Sequence, residues 1–190
     1  MNKPIASTVL LGATFLSCTS VWAQAAKLVA AQSEVAFVTK QMGVPVDGRF
    51  KKFDAQINLD PMKPESGSVA FSIDTGSASL GVPESDAEMP KALWFNVAKF
   101  PQATFKSTAI KGLGHGKFEV AGKLDIKGNV RDVVVPVQIT QSAGNSIATG
   151  SFVIKRLDFK IGEGEWTDTT VVANDVTVKF KLALTGLGPL

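Results

Sequence analysis

The feature of this chain that most constrains its fold is a two-residue alternation of apolar side chains with polar or small ones. The last such stretch places polar or small residues between Val176, Val178, Phe180, Leu182 and Leu184. Because successive side chains of a β-strand point to opposite faces, this spacing predicts strands with one apolar face and one polar face. A parallel sheet, buried on both faces, would give continuous apolar runs instead. We therefore expect an all-β, antiparallel fold.

Turn signals divide the alternating stretches into about eight strands. They are Gly- or Pro-containing segments at residues 60–64, 112–116, 127–129 and 143–145. Residues 77–92 alternate poorly, and acidic residues follow Pro83, which suits the first turn of a helix. We expect one short helical insertion near residues 84–92.

The strand pattern leaves two all-β architectures open. A domain of this length folds either as a sandwich or as a closed barrel. Closure removes exposed strand edges, and a barrel of eight strands encloses either packed side chains or one small ligand.

The first 23 residues predict a secretory signal peptide, which leaves residues 24–190 as one domain. Lys3 supplies a positive start, residues 4–21 carry no charge, and Val21, Trp22 and Ala23 suit cleavage. The apolar run is shorter than the roughly 20 residues that span a bilayer. The chain is therefore expected to leave the cytoplasm. Cys18 permits an alternative, a lipoprotein anchor, which we consider less suited because Phe15 stands where Leu is usual.

Composition argues against several kinds of site. The chain has one cysteine and one histidine, so we expect no metal site and no thiol chemistry. The histidine, His115, lies between two glycines, which predicts a turn. The formal net charge is +3 without a block of Lys or Arg, so no nucleic-acid partner is expected.

Short segments that recur in a fixed order make the chain resemble the YceI-like family. Each segment alone is common, but their order and spacing over residues 27–186 are specific. The chain departs from the usual family pattern at two places, the segment 81–85 before Asp86 and Lys160 after Phe159. The resemblance implies a periplasmic, lipocalin-like β-barrel whose apolar lumen holds an isoprenoid or quinone-type lipid. The segments are residues 33–37, 42–43, 46–50, 53, 69–74, 77, 86, 94–105, 122–128, 156–159 and 176–182.

Twelve apolar side chains are the predicted ligand-binding set. A hydrocarbon tail gains about 25 cal/mol per Å² of buried surface, so it binds without many polar contacts. The chain has 12 Phe and no Tyr, so an aromatic wall would leave no hydroxyl unsatisfied. The alternative is that these side chains fill an ordinary core. The set is Phe37, Phe50, Phe71, Ile73, Phe95, Phe100, Phe105, Phe118, Leu124, Phe152, Phe180 and Leu182.

Three charged residues are the polar candidates for the mouth of such a barrel. They are Asp86, Arg156 and Asp158, and a bidentate pair between Arg156 and Asp86 is the expected arrangement. The alternative is that this ion pair has a purely structural role and fixes a loop to the barrel. Trp94 and Trp166 are expected either beside the mouth or packed at the surface. Residues 147–159 carry apolar side chains on both faces, which predicts a bulge within that strand.

The predicted function is that of a periplasmic binding or carrier protein, not an enzyme. We expect no catalytic residues, no cofactor and no metal; the bound lipid is the ligand. The alternatives are sequestration of other hydrophobic molecules such as antibiotics, a small β-barrel enzyme such as a cyclase or isomerase, and a structural β-domain with a filled core. Transient membrane contact and a homodimer stay open as further interactions.

Overall fold

The computed structural model describes residues 25–190, and its strands wind into one antiparallel barrel. The predicted signal peptide and Cys18 lie outside the described residues. No helix in the described part has the length and apolar character needed to cross a membrane. The strands are β1 (Ala25–Leu28), β2 (Glu34–Gln41), β3 (Val44–Phe50), β4 (Phe53–Asn58), β5 (Ser68–Asp74), β6 (Ala78–Ser79), β7 (Gln102–Gly114), β8 (Lys117–Ile126), β9 (Asn129–Ser142), β10 (Asn145–Lys155) and β11 (Asp175–Thr185).

Short helices interrupt or connect these strands. The described residues contain one α-helix, α1 (Pro83–Glu88), where a helical insertion was predicted. It ends earlier than expected, and the chain continues mostly in turns to Lys99. The 3-10 helices are Ala30–Gln32, Pro64–Ser66, Thr75–Ser77, Arg156–Phe159 and Gly164–Thr167.

The eleven described segments make eight barrel strands, because three pairs of segments continue one another. β1 and β2 both pair with β11, at Leu28↔Leu184 and Val35↔Phe180. On the next strand, β4 pairs with β1 and β3 pairs with β2. On the strand after that, β5 pairs with β4 and β6 pairs with β3. From β5 the sheet runs through β7, β8, β9 and β10 to β11, which closes it. The predicted barrel is therefore confirmed, and the sandwich is excluded.

Two-residue turns join most neighbouring strands. Lys127 and Gly128 connect β8 to β9 with φ of 54° and 73°. Positive φ at both central residues defines a type I′ turn, whose twist matches that of the strands. The same sign pattern occurs at residues 42–43, 115–116 and 143–144. The turns predicted around residue 128 and at His115 are confirmed.

One hydroxyl bridges the break between β1 and β2. The Ser33 hydroxyl donates to the Val29 carbonyl (2.9 Å) and accepts from the Ala183 N–H of β11 (2.9 Å). A side chain thus replaces the backbone partner that an unbroken strand would supply. This contact helps to close the barrel where regular pairing is interrupted.

The buried apolar side chains form two clusters, one at each end of the barrel. β8 contributes Phe118 and Val120 to the first cluster, which we call the Leu184 end. It contributes Leu124 and Ile126 to the second, which we call the Arg156 end. Inward side chains between the clusters, such as Phe71, Phe105, Phe152 and Phe180, are only half-buried. The barrel is therefore packed at its ends and hollow between them.

The predicted bulge within residues 147–159 is wrong. β10 pairs with β11 without interruption from Asn145↔Thr185 to Lys155↔Asp175. The side chains of Ala148, Phe152, Ile154 and Arg156 all line the interior. Of the three apolar residues that suggested a change of face, Val153 is exposed on the outer face of β10, and Leu157 and Phe159 belong to the 3-10 helix that follows the strand.

Candidate functional site

The interior of the barrel contains an apolar cavity of about 230 Å³. All eight barrel strands contribute to its lining, together with the connecting segments that carry Leu80, Met89, Trp94, Ile161 and Val172. For comparison, an engineered apolar cavity of about 150 Å³ in another protein stays dry and binds benzene. The cavity is therefore large enough to hold part of an apolar molecule without rearrangement.

Eleven of the twelve predicted ligand-binding residues line this cavity. They project from the inner faces of the strands, apart from Phe95, which comes from the segment after α1. Their contact with a ligand remains a prediction. The eleven are Phe37, Phe50, Phe71, Ile73, Phe95, Phe105, Phe118, Leu124, Phe152, Phe180 and Leu182.

Phe100 is the exception, and its place in the predicted lining is corrected. Its half-buried ring lies beside Gly128 in the β8–β9 turn, with the Lys99 ammonium 5.3 Å from the ring centre. The chain before Pro101 is not a strand, so two-residue alternation does not place Phe100 on an inner face.

Glycines on the inner wall let three phenylalanine rings lie flat against it. Phe180 of β11 lies over Gly150 of β10, and Phe37 of β2 lies over Gly48 of β3. A third ring, that of Phe105, covers Gly122. In each case a β-carbon on the glycine would collide with the ring. The pairing spreads the rings along the wall and leaves the centre of the barrel open.

Aromatic contacts connect the wall to the segment that follows α1. The Phe50 ring lies 5.3 Å from that of Phe37 and 5.9 Å from that of Phe95, measured between ring centres. The second contact is edge-to-face, a favourable arrangement of ring quadrupoles. The Trp94 ring packs 5.5 Å from that of Trp166. Trp94 is buried and lines the cavity, whereas Trp166 is half-buried behind it.

Arg156 is the one charged side chain among the described cavity-lining residues, and it is 2% exposed. Its Nε donates to the Ala173 carbonyl at 3.0 Å. The terminal nitrogens donate to the carbonyls of Ile161, Gly162, Trp166 and Val172 at 2.6–3.0 Å. These five bonds match the five N–H groups of a guanidinium.

The charge of Arg156 is thus stabilised by backbone dipoles. Among the described residues no carboxylate forms an ion pair with it. Burial lowers the pKa of the guanidinium, but arginine stays protonated in proteins. The side chain fastens the loop of residues 161–173 to the end of β10.

The expected pair between Arg156 and Asp86 is wrong. The Asp86 carboxylate instead accepts hydrogen bonds from the Ser79 hydroxyl (2.7 Å) and the Leu80 N–H (2.5 Å). Above all the Ser79 bond, and then the Leu80 bond, lower the pKa of Asp86. Asp158 is exposed and belongs to no ion pair of the described residues. The structure therefore does not bring the three predicted polar residues together.

Sequence reasoning missed a buried lysine near the Arg156 end. The Lys127 side chain is 5% exposed, and its Nζ donates to the carbonyls of Ala92 and Lys160 and to the Glu163 carboxylate at 2.7–2.8 Å. The Lys127 hydrogen bond lowers the pKa of Glu163. No sequence signal identified this contact, because lysine in a turn is ordinarily solvated.

Two buried polar atoms have no hydrogen-bond partner among the described residues. They are the Thr39 hydroxyl oxygen and the Trp94 indole nitrogen, and both residues line the cavity. Leaving such a group unpaired costs about 1–3 kcal/mol. Thr39 carried a signal that was overlooked, since it follows Val35 and Phe37 at the same two-residue spacing.

The described residues contain no cluster of three or more His, Cys, Asp or Glu side chains suited to a metal ion. An antiparallel barrel of eight strands around an apolar cavity defines a lipocalin-like β-barrel protein, a class whose interior has room for one small molecule. Within this class the chain belongs to the YceI family, since the YceI-like domain matches residues 27–184.

Relatives and solved structures agree with this family. A UPF0312 protein of Azotobacter vinelandii is 36% identical over 88 residues, which are 46% of each chain. Protein YceI of Salmonella arizonae is 35% identical over 92 residues, 48% of each chain. The chain thus spans about half the length of the curated relatives it matches.

Two solved structures share the fold over a larger part of the chain. Burkholderia cenocepacia BcnA is 43% identical, with a TM-score of 0.80 over 83% of this chain and 99% of that one. A polyisoprenoid binding domain from Saccharophagus degradans, implicated in plant cell wall breakdown, is 23% identical, with a TM-score of 0.69 over 86% of this chain and 99% of that one.

Proposed function

We propose that this protein is a periplasmic binding or carrier protein that holds an isoprenoid or quinone-type lipid in its barrel. The observation that carries the proposal is the apolar cavity, whose walls are lined with Phe rings packed over glycines. A filled structural core would have buried these rings completely, but Phe71, Phe105, Phe152 and Phe180 line the cavity and are only half-buried.

The energetics of a hydrocarbon tail suit this cavity. Each buried methylene contributes about 0.8 kcal/mol, so a few isoprene units supply enough favourable free energy to offset the cost of association. The lining places few polar groups in competition with the tail. A polyisoprenoid binding domain shares this fold, and we choose an isoprenoid as the tail by analogy with it.

Extraction of the purified native protein tests the proposal. We expect native mass spectrometry to show a bound lipid mass, and organic extraction to release an isoprenoid or quinone. Adding an isoprenoid at 100 times its Kd should stabilise the delipidated protein by about 2.7 kcal/mol. Repeated preparations without lipid, together with no thermal shift, would favour the structural β-domain instead. The same spectra report whether the protein is a homodimer.

A wider range of cargo is the second candidate, and the uniformity of the lining favours it. Burial of apolar surface is non-directional and discriminates poorly between tails of similar size. Sequestration of hydrophobic antibiotics predicts comparable thermal shifts with an isoprenoid and with an apolar drug. A carrier of one lipid class predicts a shift with the isoprenoid only.

We further propose that the chain binds its ligand without chemical turnover. Among the described residues that line the cavity, Arg156 is the one charged side chain, and its guanidinium donates to backbone carbonyls. Acid–base catalysis needs positioned titratable groups. Mass spectrometry of lipid incubated with the protein should show no protein-dependent product; a product would establish the enzyme.

Export through the signal peptide completes the proposal. N-terminal sequencing of protein from the periplasmic fraction should place the first residue at position 24. A mature protein that begins with a lipidated Cys18 would instead be a membrane-anchored lipoprotein. Binding of the delipidated protein to vesicles tests the transient membrane contact expected of a lipid carrier.

A further inference from the structure

We propose that the lipid tail enters and leaves the barrel through its side wall, between β9 and β10. The proposal rests on the proposed function and deepens it, because it assigns the route by which the cavity exchanges its ligand. The route is a stretch in which both strands continue but no longer pair with one another. We call this stretch the β9–β10 split, which consists of residues 130–136 of β9 and 151–155 of β10.

The ladder between β9 and β10 ends partway along the two strands. Pairing stops at Gly150↔Val137, although β10 continues to Lys155 and β9 begins at Asn129. The opposite edges of both strands stay paired over the whole split, β9 with β8 and β10 with β11. Within residues 25–190, no other strand pairs with the two vacant edges. The split is therefore a local opening in an otherwise regular wall.

Pro136 lies where the pairing ends. A proline has no backbone N–H to donate to a ladder, so within sheets it is confined to edges, strand starts and bulges. The ladder with β8 continues through Glu119↔Pro136, so the edge that the proline disturbs is the one toward β10. Pairing with β10 stops at its neighbour Val137. The sequence itself thus interrupts the wall at this point.

Two charged side chains at the split turn away from one another. If the register of the ladder continued, Lys155 would lie opposite Asp132, an arrangement that favours a cross-strand ion pair. Instead Lys155 Nζ contacts the Asp175 carboxylate of β11 at 2.9 Å, and the Asp132 carboxylate contacts Lys123 Nζ of β8 at 2.9 Å. No ion pair of the described residues therefore joins the two sides of the split.

Apolar side chains line the split on both faces of the wall. On the outer face Val130 and Val134 of β9 and Val153 of β10 are 46–58% exposed. On the inner face Val135 of β9 and Phe152 of β10 line the cavity. Exposed apolar side chains that lie together are typical of a surface that meets an apolar partner. A hydrocarbon tail would thus contact apolar side chains from the outer rim to the cavity.

Both ends of the barrel, by contrast, are closed by fastened segments. At the Arg156 end, the five hydrogen bonds of Arg156 hold the loop of residues 161–173 to β10. At the Leu184 end, Leu187 packs against the buried cluster, and the Gln141 side chain donates to the Gly188 carbonyl at 2.7 Å. Opening either end would break several of these contacts, whereas the split has no ladder to break.

A covalent bridge across the split tests the route on the delipidated mature protein. Residues 24–190 contain no cysteine, so Val134→Cys/Val153→Cys can be joined specifically by a short bis-maleimide. The probe is all-trans-retinol, an isoprenoid whose own fluorescence reports binding. We expect the bridge to slow both uptake and release by about tenfold or more and to leave Kd nearly unchanged, because closing a route raises the barrier without altering the end states.

The double variant Val153→Cys/Thr177→Cys is the matched control, since Val153↔Thr177 is a regular pair of the β10–β11 ladder. Its bridge should leave both rates unchanged. Unchanged rates in the protein bridged across the split overturn the route, and so does equal slowing by the control bridge. A dimer that the bridge across the split dissociates, with unchanged rates, would assign these strand edges to a second copy of the chain.

Val134→Asp tests the same route without a cross-link. A charge on the exposed rim should leave folding intact but should slow the passage of an apolar tail, which would have to displace water from the carboxylate. Thr149→Asp, on the outer face where pairing with β9 is regular, should slow nothing. Intact-protein mass spectrometry verifies each bridge, and thermal melts verify folding.

The two proposals fail in different ways. If the unmodified protein binds no isoprenoid, the proposed function fails. If it binds retinol but neither the bridge nor Val134→Asp changes the rates, the route alone fails.

Discussion

The ring of Phe180 occupies the space that a β-carbon on Gly150 of the neighbouring strand would need. The same relationship holds between Phe37 and Gly48. A phenylalanine on one strand thus lies beside a glycine on the next strand. Because the glycine has no side chain, the ring lies along the wall instead of across the lumen. We take this matching as the physical reason that an interior rich in Phe stays hollow.

Gly150→Ala should push the Phe180 ring off the wall. We expect a loss of about 1–3 kcal/mol in the free energy of unfolding, as in other overpacked cores, together with weaker lipid binding. Chemical denaturation measures the first effect and lipid titration the second.

The double variant Gly150→Ala/Phe180→Leu is the control for that collision. It should recover part of the stability, because the smaller side chain relieves the contact with the ring; the rest of the loss remains, because the methyl group still meets the backbone carbonyl of Pro136. If the two substitutions are simply additive, the ring and the glycine are not coupled.

Phe71→Trp should shorten the longest tail that the barrel accepts. Phe71 is half-buried and faces the hollow, so the added ring volume is expected to fill the lumen and leave the strand in place. Affinities for a series of isoprenoid lengths should fall for the long members only. Phe100→Trp is the matched control because Phe100 lies outside the lining. Unchanged length selection in Phe71→Trp would contradict a tunnel at this position.

Ser33→Ala should weaken barrel closure. The substitution leaves the buried Ala183 N–H without its acceptor, at a cost of about 1–3 kcal/mol. Hydrogen exchange at the Ala183 amide should accelerate relative to the amides of β8. Ser151→Ala, on the exposed face of β10, supplies the comparison and should change neither quantity.

Asp86→Asn should destabilise the segment around α1 at neutral pH. The asparagine retains one acceptor oxygen, but its amide cannot accept the second hydrogen bond that the carboxylate receives. Because the folded protein lowers the pKa of Asp86, its contribution is complete above the usual aspartate value of about 3.9 and is lost as the pH falls through the lowered value.

Thermal melts of the wild type and Asp86→Asn over a range of pH follow this contribution. The two melting temperatures should differ at neutral pH and converge in acid. A constant difference down to strongly acidic pH would show that the charge of Asp86 does not contribute.

Strand periodicity predicted the inner wall well, because it depends only on local geometry. Once β11 or β8 is a strand, every second residue faces inward, and Phe118, Leu124, Phe180 and Leu182 follow directly. Alternation does not apply to Phe100, because the segment after α1 is not a strand and has no two-residue period.

Polar contacts were not predictable in the same way. The partners of Arg156 are backbone carbonyls from the segment 161–173, and carbonyls carry no signature in a sequence. The pairing of Lys127 with Glu163 depends on where two turns meet in space. The position of Thr39, by contrast, was available from alternation alone.

The way Arg156 is held has a consequence for acid tolerance. A guanidinium does not lose its proton, and peptide carbonyls do not gain one, at physiological pH. The hydrogen bonds between Arg156 and the carbonyls therefore do not titrate, whereas the hydrogen bonds of the Asp86 carboxylate are lost when it is protonated. Acidification should therefore release the α1 segment and the Lys127–Glu163 contact first, while the bonds of Arg156 keep the loop of residues 161–173 attached to β10.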